Sequence, residues 1–103
     1  MQAAAQGHNG AIYNVAILHE RGLGVAQSDA KAAEWFQKST DKMVQNKLGK
    51  WYEAGRGVNK STRKAAEWYS LSAHQGYKDA QTNLGILYRN GNGVTQNFAK
   101  AAE

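Results

Sequence analysis

Apolar residues return along this chain at helical spacing. Between residues 79 and 90, Ala80, Leu84, Leu87 and Tyr88 recur at helical intervals with polar residues between them. Just past the last periodic residue comes a paired glycine, GNGV at 91–94, and the same shape stands at 22–25 (GLGV) and 55–58 (GRGV). Nine residues after each first glycine comes KAAE, at 31–34, 64–67 and 100–103. The first two copies run on into an aromatic pair, Trp35-Phe36 and Trp68-Tyr69. Both motifs step by 33 and then 36 residues, and two linked motifs in three copies make an internal repeat.

The glycine pairs are punctuation between helices. A glycine just past a helix takes the left-handed cap conformation without a Cβ penalty. Val25, Val58 and Val94 then return an apolar side chain beneath the turn, and Ser28, Ser61 and Asn97 are good N-caps for the next helix. A phosphate-cradling loop does not fit. No G-x-x-x-x-G-K-[ST] is present, no third glycine completes G-x-G-x-x-G, and no apolar strand precedes the turn.

Each unit is therefore a first helix, a tight turn and a second helix. The pattern predicts first helices over 10–21, 43–54 and 79–90, and second helices over 28–40, 61–75 and 97–103. One hairpin cannot bury its apolar face alone, so the units must stack. The fold class expected is all-α, a right-handed α/α solenoid of antiparallel helix pairs, two and a half to three units long. It forms one array over 1–103, with units at 10–42, 43–78 and 79–103 and residues 2–7 as the tail of a preceding helix. The first step is three residues shorter than the second, and the loss falls between Trp35 and Leu48, where a changed connection is cheap. Gly49 and Gly85 stand mid-helix where the first unit has Ala16, at a cost of about 1 kcal/mol relative to alanine. Close approach of the paired helices is the expected compensation. Ala32, Ala33, Ala65 and Ala66 would supply the small opposing surface, with the Trp-aromatic pairs filling the space between units.

The pattern A-x-x-x-L-G-x-x-Y-x-x-G-x-G-V followed by K-A-A-E-W-Y resembles the Sel-one-like repeat (SLR), a relative of the tetratricopeptide repeat. Ala80, Leu84, Gly85, Tyr88, Gly91, Gly93 and Val94 match it position by position. The second unit matches at Leu48, Gly49, Tyr52, Gly55, Gly57 and Val58, with Val44 in place of alanine. The first departs further, with Val15-Ala16 for Leu-Gly and His19 for the tyrosine. The resemblance implies a scaffold or adaptor that binds a peptide or protein partner. The alternative is an inhibitory or immunity protein that sequesters an enzyme or toxin. A Cys-rich branch linked to β-lactams does not fit a chain without cysteine. Both ends fall inside the repeat pattern, so the reading is a fragment of a longer array that self-associates through uncapped ends.

By analogy with tetratricopeptide arrays, the first helices line the concave face. The partner-binding residues implied there are Tyr13, Asn14, Ile17, Asn46, Lys47, Lys50, Thr82, Asn83, Ile86 and Arg89. Lys47 and Lys50 stand one helical turn apart and suit a carboxylate, while Asn14 and Asn83 suit a peptide backbone.

Charge adds a preference to this picture. Thirteen Lys and Arg against eight Asp and Glu give a net charge of +5. Seven of the cations, Lys42, Lys47, Lys50, Arg56, Lys60, Arg63 and Lys64, share their stretch with Glu53 as its acid. A solvated face or an acidic protein partner follows. Nucleic acid is not expected, because aromatic residues do not interleave the basic ones on an exposed surface. No apolar run is long enough to span a membrane, so no membrane insertion is expected. Catalytic residues, metal ligands and cofactors are not expected either. His8, His19 and His74 are dispersed, no thiol exists, and no nucleophile elbow accompanies the serines. His19, in a packing-tyrosine position, reads as a partly buried structural residue.

Overall fold

The structure, a computed structural model, describes the backbone of residues 2–90 and the side chains from residue 8 onward. Among the described residues five helices follow one another: α1 Gln2–Arg21, α2 Asp29–Phe36, α3 Lys42–Ala54, α4 Thr62–His74 and α5 Lys78–Asn90. No strand occurs among the described residues. The third glycine turn, the Asn97 cap and the helix expected over 97–103 lie outside them.

The turns work as local chemistry dictates. Gly22, Gly24, Gly55 and Gly57 all take positive φ, between 68° and 79°. Gly55 caps α3 in the left-handed region and its N–H returns to the Trp51 carbonyl. Ser28 and Ser61 accept from the backbone N–H of Lys31 and Lys64, each at 3.1 Å, and so start α2 and α4. Between glycine and serine the chain is tied back to the helix it has left. The Ser28 N–H donates to the His19 carbonyl at 2.8 Å and the Ser61 N–H to the Tyr52 carbonyl at 2.9 Å.

Apolar packing lies between hairpins as well as within them. One buried cluster joins Ala16, Ala32, Ala33 and Phe36 of the first unit to Val44, Leu48 and Trp51 of the second. The other joins Tyr52, Ala65, Ala66 and Tyr69 of the second to Leu87 of the third. Each unit thus completes its core on its neighbour, which is why a single hairpin of this sequence cannot stand alone.

Four details depart from the sequence-based expectation. First, α1 runs unbroken from Gln2 to Arg21, through the residues expected to be the tail of a preceding helix; Gly10 lies within it and takes no positive φ. Second, the three-residue deficit comes out of the helix rather than the connection. α2 has 8 residues where α4 has 13, and the link that follows α2 is the longer of the two. Thr40 holds that link in place: its N–H donates to Asn9 Oδ1 at 3.1 Å and its hydroxyl accepts from Asn9 Nδ2 at 2.9 Å. Asp41 then caps α3, accepting from Met43 and Val44 N–H.

Third, the surface opposing Gly49 is the ring of Tyr69, not alanine. A Cβ built on Gly49 would overlap that ring. The ring is immobilised, being buried and donating its hydroxyl to Glu53 Oε1 at 2.6 Å. Fourth, Trp35 and Trp68 are only partly buried; Phe36, Tyr69 and Trp51 do the filling. Trp51 meets Phe36 edge-on at 5.5 Å between ring centres.

Candidate functional site

Three helices, α1, α3 and α5, hold the first position in their units, and side chains link them in series. At the first junction Glu20 on α1 accepts from Lys47 Nζ on α3 at 2.9 Å and from Arg56 at 3.2 Å. Arg56, in the second glycine turn, also reaches Asp29 at the start of α2, at 3.1 Å. Trp51 lies beneath these cations, with the Arg56 guanidinium 4.5 Å and the Lys47 ammonium 5.6 Å from its ring centre. The hydrogen bond to Asp29, with the nearby carboxylates, holds Arg56 above its ordinary pKa despite some desolvation. At the second junction the charges are replaced by an amide pair, Asn83 Nδ2 donating to Asn46 Oδ1 at 3.1 Å.

These contacts divide the ten residues implied for partner binding. Asn46 is 5% exposed and bonded within the protein, and Asn83 is its partner. Lys47 is committed to Glu20, with its ammonium also 4.7 Å above the Phe36 ring. Ile17 packs against the first core cluster. Tyr13, Asn14, Lys50, Thr82, Ile86 and Arg89 are exposed. Of the two lysines thought to act together, Lys50 alone is exposed and without an ion pair among the described residues. The charge picture changes in the same way. Lys47 and Arg56 face two carboxylates of the preceding unit, which a reading confined to their own stretch does not contain.

One feature of this face escaped the sequence reading. A groove of about 460 Å³ lies between α1 and the start of α3, lined by Asn9, Gly10, Tyr13, Asp41, Met43 and Val44. Met43 is largely exposed, and Tyr13 forms the opposite wall while touching Phe36 at 6.0 Å between ring centres. The signal was in the register. Met43 occupies the repeat position of Gly10 and Asp79, where a packed core residue would not alternate with glycine and aspartate.

Elsewhere the polar groups are structural. Ser72, fully buried, donates to the Lys42 carbonyl at 2.6 Å, and Gln75 donates to the Thr40 carbonyl and to Gln45 Oε1. His19 is partly buried, as expected, and its Nδ1 is buried without a hydrogen-bond partner among the described residues. Burial and the Glu53 carboxylate push the Tyr69 hydroxyl well above its usual pKa. Among the described residues no group of His, Asp or Glu gathers to hold a metal ion, and no helix is long and apolar enough to cross a membrane.

Helix pairs that share cores across each junction, joined by capped glycine turns of fixed period, define an α/α solenoid repeat protein. The chain belongs to the Sel1 repeat family, whose model matches residues 10–42, 43–77 and 78–103. It is similar to a Sel1 repeat protein from Oxalobacter formigenes in its crystal structure. The identity is 31% and the TM-score 0.84, over 98% of this chain and 43% of that one. It is also similar to a protective antigen of uropathogenic Escherichia coli that displays an SLR fold. There the identity is 33% and the TM-score 0.82, over 96% of this chain and 22% of the antigen. The chain thus spans less than half the length of either protein. No curated protein matches the sequence. Sel1 repeat proteins generally mediate protein–protein interaction, and the family is a scaffold type that is typically non-enzymatic.

Proposed function

We propose that this chain is a scaffold or adaptor module that holds a segment of an acidic protein partner along the face of α1, α3 and α5. The observation that supports this most is the groove between Tyr13 and Met43 on the same helices as the exposed Lys50. An apolar side chain of the partner would enter the groove, and a carboxylate farther along its chain would meet Lys50. Contacts of that kind, partly shielded from water, discriminate partners better than charges on an open rim. The reading carries no catalytic step and no cofactor, and it does not extend to nucleic acid. It includes self-association through the apolar face that Leu18, Leu23 and Val25 leave exposed on the first unit.

The test is affinity capture with the purified chain, followed by binding measurements on the partner recovered. Tyr13→Ala and Lys50→Glu should each weaken binding about tenfold, in line with the loss of one well-placed contact. Arg63→Glu with Lys64→Glu on α4 should have little effect beyond a change in salt dependence. Equal losses from both sets would mean diffuse charge attraction and no defined groove. Retention of RNA or DNA with an affinity that tracks total charge would also overturn the reading.

A further inference from the structure

One repeat position has two fates in this molecule. Trp51 and Leu87, at the same place in α3 and α5, are 4% and 2% exposed because each is pressed onto the preceding unit. Leu18, their counterpart in α1, is 40% exposed, and Leu23 at 52% and Val25 at 41% share its condition. Ala11 is exposed as well, whereas Val44, its counterpart in α3, is buried in the first core cluster. The glycines agree. A Cβ on Gly57 would run into the Asp29 carbonyl of the unit before, while one on Gly24 would meet nothing within 4 Å. The outer side of the first unit is therefore an apolar contact face displayed in the open.

This face differs from its buried counterpart in charge. At the first junction Lys47 and Arg56 reach the acids Glu20 and Asp29. On the open face the same two positions hold Asn14 and Leu23. From Ala11 through Asn14 and Leu18 to Leu23 and Val25 the face carries no charge, on a chain of net charge +5. Its charged neighbours are Glu20, already engaged by Lys47 and Arg56, and Arg21, which is exposed.

What a second copy can bring to this face is limited by what is already covered. The side of α2 that presents Ala32, Ala33 and Phe36 is occupied by α3, and α5 packs onto the Ala65, Ala66 and Tyr69 side of α4. Neither is free to receive another copy. The Leu18 face itself is free, and a face that meets its own copy makes a two-fold contact, in which residues near the axis meet themselves. Like charges there would repel, and this stripe has none. Its shape suits the same arrangement. Ala11 is small at one end and Leu23 and Val25 are bulky at the other, so an antiparallel pair sets each small end against a large one. Asn14 fits too, because an amide both donates and accepts. Asn83, at the same repeat position in α5, bonds its neighbouring unit in that way, donating to Asn46 at 3.1 Å. Building on the self-association included above, we propose that two copies of this chain pair through α1 about a two-fold axis at Leu18. Each Leu18 meets the other, and each Ala11 faces the Leu23–Val25 turn of the second copy. The contact consumes the face on both copies, so assembly closes at two.

Sedimentation velocity on the full chain across a wide concentration range tests this. The sedimentation coefficient should rise with concentration and level off at the value of two copies. Added salt should strengthen the pairing, because it screens the repulsion of two basic chains joined through uncharged residues; a contact made by ion pairs would weaken. Leu18→Arg and Leu18→Asp should each weaken association about tenfold or more, the equivalent of losing one buried apolar side chain. Circular dichroism should show both variants as helical as the parent, since Leu18 is already half in solvent. Mixing the two variants should restore pairs, because arginine then meets aspartate across the axis. Only a contact in which position 18 meets itself can be rescued in this way. Lys50→Glu, aimed at the partner groove, should leave pairing in place, so the two readings fail separately. Growth beyond two copies, or a mixture that does not recover, overturns the two-fold contact while self-association stands. A parent that stays a single copy at every concentration overturns both and assigns the face to another hairpin.

Discussion

Replacing Gly49 with alanine sets helix propensity against packing. In an exposed helix the change would stabilise by about 1 kcal/mol, because glycine loses more backbone freedom on folding. Here the new methyl group enters the space held by the Tyr69 ring. That ring is buried in the second core cluster and tethered through its hydroxyl to Glu53 at 2.6 Å. Moving it aside means overpacking the cluster, at about 1–3 kcal/mol. It also stretches a hydrogen bond to a carboxylate worth about 1.5–3 kcal/mol, part of which would be lost. Against the gain of about 1 kcal/mol, the net expectation is a loss of about 2 kcal/mol. In a domain of this size that lowers Tm by roughly 8–16 °C. The assay is urea and thermal unfolding followed by far-UV circular dichroism. The Tyr69→Phe background adds a second reading: with the tether already absent, the same glycine replacement should cost less. The first unit, which carries Ala16 and Phe36 at these two positions, is the natural precedent for that pair. A Gly49→Ala protein as stable as the parent would refute the reasoning, since it would mean that the ring yields freely and propensity decides.

Arg56→Ala should cost only about 0.5–1 kcal/mol, since the guanidinium is partly exposed and its ion pairs are screened; the difference from the parent should shrink in high salt when Tm is compared at two ionic strengths. Tyr69 gives a pH dependence. Its folded pKa is raised by burial and by Glu53, so its contribution is fully present below the unfolded value near 10 and is lost as pH rises beyond it. Urea midpoints should therefore fall above about pH 10 more steeply for the parent than for Tyr69→Phe, and parallel curves would contradict the burial argument.

Much of the architecture was legible in the sequence because its determinants are local. A glycine that must take positive φ, a serine that must accept from the third N–H beyond it, and an apolar residue every third or fourth place act within one turn of chain. These place α2 to α5 and their caps to within a few residues at most ends, and repetition of the motifs implies stacking. The early end of α2 was not legible, since it depends on Asn9 of another helix grasping Thr40.

The candidate face was legible only in outline. The helices carrying it follow from the repeat, but which side chains remain available is decided by contacts one period away. Lys47 and Lys50 look alike in sequence. They part because Glu20 lies 27 residues before Lys47 and, in the stacked array, 2.9 Å from it. Asn46 is withdrawn in the same way by Asn83, 37 residues on. Gly49 announces that something comes close, yet only the packed hairpin identifies it as Tyr69, because the packing of two helices brings together residues that no local rule pairs. Local rules set where the helices begin, end and turn. Stacking distributes the charges and rings among them, because every junction is completed by side chains that another unit supplies.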